Sequence, residues 1–209
     1  LIQILKSDLH NRKNSSFDSI AHHWEEQYGT SAFHPLIKIA SDKSNEDPDR
    51  YIALMSAAKL GGTESAPALL SFLKDRSWMI RSGTLRALSA LLNPNTAEAV
   101  LPLLQDPALV VRVEAVEAVK ILKPKRAAEA LLATLEDHNN YHGGKAQWVP
   151  QKALDALVYL KAKDIVPKLL TLSEHPKWQK DPQFALQTIQ TIEVLTGKNM
   201  RSNTPISQK

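Results

Sequence analysis

Asp75, Asp106 and Asp137 stand 31 residues apart, and the residues around them recur at the same step. Leu60, Leu91 and Leu122 keep that step, as do Arg50, Arg81 and Arg112, and Leu54, Leu85 and Val116. Small residues follow it at Ser56, Ala87 and Ala118. A constant period of this length marks a chain made by stacking copies of one supersecondary unit.

Within a period the pattern is helical on both sides of the aspartate. Pro67–Leu73 and Val100–Leu104 place apolar residues at three-and-four spacing before it, which is one face of a helix. Leu85, Leu88, Leu91 and Leu92, and then Val116, Val119, Ile121 and Leu122, do the same after it. Alanine and leucine favour helix over strand in both halves. Gly61-Gly62 and Asn93-Pro94 break the chain between copies. The unit is therefore two antiparallel helices turning at the aspartate, and its apolar faces are buried only when units stack. The expected fold is an all-α superhelix of about five helix pairs, with repeats at residues 32–62, 63–93, 94–123, 124–162 and 163–197 of a 31–197 solenoid. Residues 1–30 form an N-terminal helical cap, and 198–209 a polar tail. The cap helix is expected at about 16–28, with Phe17, Ile20, Trp24 and Tyr28 as its stripe. Ser15 and Asp18 make a capping box and Gly29 ends the helix. His22 and Glu26 read as its surface.

Asp75…Arg81 and Asp106…Arg112 are pairs six residues apart that span the turn into the second helix. Such pairs can bond backbone groups and their counterparts in the next repeat, forming a ladder that fixes the stacking register. Two segments carry a family likeness: Asp75-Arg-Ser-Trp-Met-Ile-Arg-Ser-Gly-Thr-Leu-Arg-Ala-Leu88 and Asp106-Pro-Ala-Leu-Val-Val-Arg-Val-Glu-Ala-Val-Glu-Ala-Val119. The Asp-Pro turn, the Val-Arg and the small and leucine positions resemble the HEAT-repeat family, in particular bacterial HEAT-like repeats of the phycobilin-lyase type. The likeness is strongest over 63–122 and extends over 32–62 and 123–197. It implies an armadillo-like scaffold fold and leaves function open.

The repeat also departs from itself. From Ala118 to its equivalent Ala156 the step is 38, 7 more than elsewhere, and the excess lies in residues 138–149. Insertions in one repeat emerge as loops on one side of a solenoid, often the binding side. This one holds His138, Tyr141, His142 and Trp148. The other repeats close without it, so the reading expects it to serve function rather than folding. Trp78, Trp148 and Trp178 all fall in turns, either as a binding ridge or each anchoring its own helix pair. His138, His142 and His175, with Asp137 and Glu174 nearby in register, are weak candidates for a zinc site.

Composition excludes more than it assigns. The absence of cysteine removes disulfides, thiolate metal sites and cysteine nucleophiles. There is no Gly-x-Ser-x-Gly elbow or phosphate-cradling glycine loop, so no catalytic residue is assigned. The net charge is +4. Lys6, Arg12, Lys13, Lys198, Arg201 and Lys209 at the two ends leave a body near neutrality. A phosphate-binding groove needs a one-sign stripe on the body itself. No apolar run reaches the roughly 20 residues of a membrane helix. The expected exposed second-helix positions mix signs: Arg81 and Arg86, then Glu114, Glu117 and Lys120, then Lys152 and Asp155, then Gln183, Gln187 and Gln190. This is a surface for protein contacts.

The sequence therefore points to a non-enzymatic scaffold, monomeric in isolation and without cofactor. Its expected contact residues for a protein partner are Tyr141, His142, Trp148, Trp178, Arg86, Glu114, Glu117 and Lys152. The alternatives are a nucleic-acid binder, since some DNA glycosylases resemble this fold, and bilin-lyase-type chromophore handling, with Asp137, His138 and His142 as its candidates. A start at Leu1 rather than Met is expected to reflect either a removed signal or anchor, which places the protein in the cell envelope, or a trimmed chain, which leaves a cytoplasmic location open.

Overall fold

The computed structural model describes residues 1–12, 17–176 and 178–199. Ser15 of the expected capping box, and the tail from residue 200 onward, lie outside them. The chain divides into two compact units, residues 1–122 and 123–209.

The first unit contains α1 (Ile2–Asn11), α2 (Phe17–Tyr28), α3 (Phe33–Ser41), α4 (Asp47–Gly61), α5 (Ala66–Leu69), α6 (Trp78–Leu91) and α7 (Leu109–Leu122). The helix α4 starts with Pro48 and two aspartates in its first turn, and has Lys59 in its last. Proline at a helix start and charges that complement the macrodipole both favour those ends. Gly62 stops it at φ 53°, a left-handed conformation suited to glycine. α3 packs on α4, and α4, α6 and α7 pack in succession. Gly83 permits the α4–α6 approach: a Cβ there would lie 2.6 Å from the Tyr51 ring.

First helices are less regular than second helices. α5 passes into a 3₁₀ stretch at Leu70–Lys74, and Pro94–Gln105 is 3₁₀ throughout. Pro102 lies inside the latter, where it supplies no N–H and its ring crowds the preceding turn. The segment still buries Val100, Leu101, Leu103 and Leu104 against α7.

The N-terminal segment holds a helix ahead of the one expected at about 16–28. α1 buries Leu5 and Leu9, and Asp8 accepts a 2.9 Å hydrogen bond from Trp24 Nε1. Lys6 pairs with Asp42 at 3.2 Å and Arg12 with Asp49. Two leucines four apart suffice for a packed face once α3 is beside them.

The second unit contains α8 (Ala127–Glu136), α9 (Trp148–Tyr159), α10 (Val166–Ser173) and α11 (Pro182–Thr196), with α8 on α9, α10 on α11 and α9 on α11. Two short strands, β1 (Tyr141–His142) and β2 (Lys145–Ala146), form an antiparallel hairpin. Its turn is Gly143-Gly144, with φ of 57° and 80°. Two positive φ values at the centre of a two-residue turn match the twist of the strands, and glycine adopts them without strain. Apart from this hairpin the described residues form an all-α fold, and none of their helices is long and apolar enough to cross a membrane.

Candidate functional site

The repeated arginines and aspartates form a structural ladder. Arg81 donates from Nε to Asp106 Oδ2 at 2.6 Å and from Nη2 to Oδ1 at 2.7 Å. Its Nη1 turns back to the Asp75 carbonyl at 2.8 Å. Arg112 repeats that backward bond to the Asp106 carbonyl, also at 2.8 Å. The carboxylate partner of Arg81 therefore lies 25 residues ahead, in the next repeat. Each aspartate also closes the turn that leads into the next helix: Asp75 Oδ1 accepts from Ser77 N and Asp106 Oδ1 from Ala108 N, both at 2.9 Å.

Arg50 makes a further rung that the sequence reading did not single out as a site. It is 0% exposed, bonds both carboxylate oxygens of Asp75, and donates to the Ala40 carbonyl at 2.8 Å and to Asp47 at 2.9 Å. Burial pushes the Asp75 carboxyl up, but the Arg50 hydrogen bond, the Ser77 N–H and the Arg50 charge outweigh it and hold the group below its ordinary range. The hydrogen bond to Asp106 likewise holds the Arg81 guanidinium above its ordinary value.

The exposed charges of α6 and α7 are taken up among themselves. Arg86 Nε donates to Glu114 at 2.8 Å, and that bond, followed by opposing burial, leaves its pKa raised. Glu117 pairs with Lys120 at 2.5 Å. Trp78, at the start of α6, is 49% exposed.

The 138–149 insertion is built into the core of the second unit. Asn140 is fully buried; its Nδ2 donates to Thr134 O at 3.0 Å and its backbone carbonyl accepts from Gln147 N at 2.8 Å. The Tyr141 hydroxyl donates to Leu135 O at 2.6 Å, and the ring meets Phe184 edge-on. Burial, followed by the Asp181 charge, pushes that hydroxyl's pKa well up. Ala146 N donates to Asp181 Oδ2 at 2.8 Å. Trp178 is 1% exposed and packs edge-on against Phe184 at 5.0 Å.

Two expected contact residues are thereby corrected: Tyr141 and Trp178 point inward, because Phe184 offers both rings an aromatic partner. The insertion's hydrogen bonds to Thr134, Leu135 and Asp181 tie it to the elements around it; whether folding requires it is read from a deletion of its 7 extra residues. His138, His142 and His175 are exposed, and His138 lies 3.9 Å from Asp137 with its side chain 93% exposed. Among the described residues no group of three or more His, Cys, Asp or Glu is placed to hold a metal ion.

Trp148 remains outward, 66% exposed at the start of α9. It opens a shallow groove of about 700 Å³ between α9 and α11, lined by Trp148, Lys152 and Asp155 on one side and by Gln183, Leu186, Gln187 and Gln190 on the other. The two helices are held in register by Gln187 Nε2, which donates to Gln151 O and to Asp155 Oδ1, both at 3.2 Å. Their N-termini lie side by side through the Ala146–Asp181 bond. Leu186, 44% exposed, was not among the sequence candidates; its signal was an apolar residue within the exposed stripe Gln183, Gln187, Gln190.

Stacked helix pairs joined by a forward arginine–aspartate ladder define an α-α repeat protein. Residues 33–120 match the model of the HEAT-repeat family; the groove lies beyond the matched span. The fold is similar to that in the structure of the complex of CpcE and CpcF of phycocyanin lyase from Nostoc sp. PCC7120, with TM-score 0.59 and 23% identity over 79% of this chain. The match spans 65% of that chain's length. A crystal structure of an engineered protein matches at TM-score 0.46 and 17% identity, over 91% of this chain and 97% of that one, which is too loose to carry an argument. No curated protein gives a significant sequence match.

Proposed function

We propose that this protein is a non-enzymatic scaffold that holds a protein partner against the second-helix face of its second unit, with Trp148, Lys152 and the α11 glutamines as contacts and His142 on the adjoining hairpin. HEAT repeats point to protein interaction in general. The observation that carries the finer reading is the contrast between two faces. Arg86 and Glu114, and Glu117 and Lys120, answer one another, whereas the α9–α11 groove exposes a tryptophan and a row of amides. Exposed tryptophan beside satisfied, rigid helices suits an interface: the ring contributes large contact area and loses little conformational freedom on binding. The test is affinity capture from native extract with Trp148→Ala and with Arg86→Ala. The reading requires a partner lost with the first and kept with the second; equal capture by both variants contradicts it.

The second reading is chromophore handling, favoured by the fold likeness to the CpcE–CpcF complex of a phycocyanin lyase. Its acid–imidazole candidates are spread over two elements, Asp137 and His138 on the turn after α8 and His142 on the hairpin. Ultraviolet-visible titration with a bilin separates the two readings. A saturable spectral shift abolished by His142→Ala supports handling of the chromophore; an unchanged spectrum supports the scaffold.

A further inference from the structure

We propose that the edge of the second unit formed by its two inter-repeat turns, residues 123–126 and 160–165, binds an acidic peptide segment, with Tyr159 taking one apolar side chain of that segment. This surface is separate from the α9–α11 groove and does not rest on the reading given for it.

The charge pattern belongs to these turns and not to the repeat. They carry Lys123, Lys125, Arg126, Lys161 and Lys163, all exposed, against one acid, Asp164. The first turns of the helices that follow add Glu129 and Lys168, which balance. The corresponding turns of the first unit, residues 61–65 and 92–96, hold no Lys or Arg and one acid, Glu64. Leu92, Lys123 and Lys161 occupy the same left-handed position, with φ of 53°, 51° and 53°. The turn therefore closes on an uncharged side chain as well, and the fold does not require lysine there.

Helix ends sharpen the argument. Lys161 follows the C-terminus of α9, where a cation complements the macrodipole. Arg126 and Lys163 stand instead ahead of α8 and α10, at the positive ends of those helices. Arg126 is the N-cap residue of α8, where a side-chain acceptor is preferred, and it makes no capping bond. A cation in such a place is unfavourable for the protein alone, and the cost is offset when an anion lies against it.

The two turns form one surface. Lys123 Nζ lies over the Tyr159 ring, 5.4 Å from its centroid, and residues 163–165 pack against α8. Packed helices stand about 10 Å apart, so two carboxylates three extended residues apart, about 10 Å, meet both turns at once. Tyr159 is 58% exposed and lies at this edge, so an apolar side chain between the carboxylates falls beside its ring. A duplex presents a charge about every 1.7 Å along its axis and calls for a longer row of cations than two turns supply.

The probe is a capped octapeptide with two glutamates three residues apart, leucine between them and serine elsewhere; its twin carries glutamine for glutamate. Each is titrated into the ¹⁵N-labelled full chain and followed by backbone amide shifts. The expected result is saturable shifts from the glutamate peptide, confined to residues 123–126 and 159–165. Binding should weaken about tenfold in an Arg126→Gln, Lys163→Gln double variant whose melting temperature is unchanged, with part of that loss in each single variant. It should also fall as salt rises from about 0.05 M to about 0.5 M. Trp148→Ala should leave it unaltered. Equal binding of the glutamine twin, or no saturable shift from the glutamate peptide, overturns the proposal. Shifts at residues 182–196 that depend on Trp148 return the peptide to the α9–α11 groove and overturn it too. Tighter binding of single-stranded DNA or of phosphatidylserine vesicles through Arg126 and Lys163 assigns the edge to nucleic acid or to a membrane surface, and either ends the acidic-peptide inference. Partner capture through Trp148 is read separately, so failure at this edge leaves the scaffold reading standing, and failure of that capture leaves this inference standing.

Discussion

Asp181 receives the Ala146 N–H on Oδ2 at 2.8 Å while its Oδ1 receives the Phe184 N–H at 3.2 Å. One buried carboxylate thus joins the inserted hairpin to the first turn of α11 and sets Trp148, two residues beyond Ala146, at the rim of the groove. The insertion reads as a brace that aims a side chain rather than as a free arm.

Asp181→Ala should therefore cost stability by about 1–3 kcal/mol, through a lost helix cap and an orphaned buried N–H. Chemical denaturation gives the total, and amide exchange at Ala146 localises it. Faster exchange at Ala146 than at Val149 is expected; unchanged exchange at Ala146 shows that the carboxylate does not hold the hairpin.

The ladder and the surface pairs should separate in energy. Arg50 is fully buried with Asp75 nearly so, and removing one partner of such a pair typically costs about 3–5 kcal/mol because the other charge is stranded. Arg86 is half exposed, and pairs of that kind contribute about 0–1 kcal/mol. Arg50→Ala should lower the melting temperature far more than Arg86→Ala. Similar losses from the two variants would mean that the rungs are not specially stabilising.

Acid should act through the same rungs. The Asp75 carboxyl is held below its ordinary value in the folded state. Its contribution is therefore complete above the unfolded pKa of about 3.9 and is lost as pH falls through the lower folded value. Melting temperature should fall from about pH 4 downward. In Asp75→Asn that part of the slope should be absent although overall stability is lower. A parallel pH profile in both proteins would assign acid sensitivity to other carboxylates.

Much of this was legible in the sequence because it repeats. The second helices, and the aspartate and arginine at each turn, recur at a fixed step, and periodicity reports elements that pack alike in every copy. What did not repeat was harder to read. α1 shows only Leu5 and Leu9 as a face, and its basic residues looked like a tail until Asp42 and Asp49 were seen to pair with them. Pro102 was visible, but one proline does not announce that the whole Pro94–Gln105 segment is 3₁₀ as it lies against α7. The insertion was found by its length. Which of its aromatics face inward was decided by Phe184, more than 35 residues from Tyr141 in sequence and in edge contact with it in space. Leu186 became part of a groove only once α9 lay beside α11.

The claim that the α9–α11 face holds a protein partner is met most directly by site-specific photocrosslinking. A benzophenone amino acid is placed at Gln190 in one protein and at Arg86 in another, and both are irradiated in native extract. A discrete adduct from position 190, abolished by adding Trp148→Ala and not formed from position 86, is the predicted result. Adducts from position 86 with none from position 190 would contradict it.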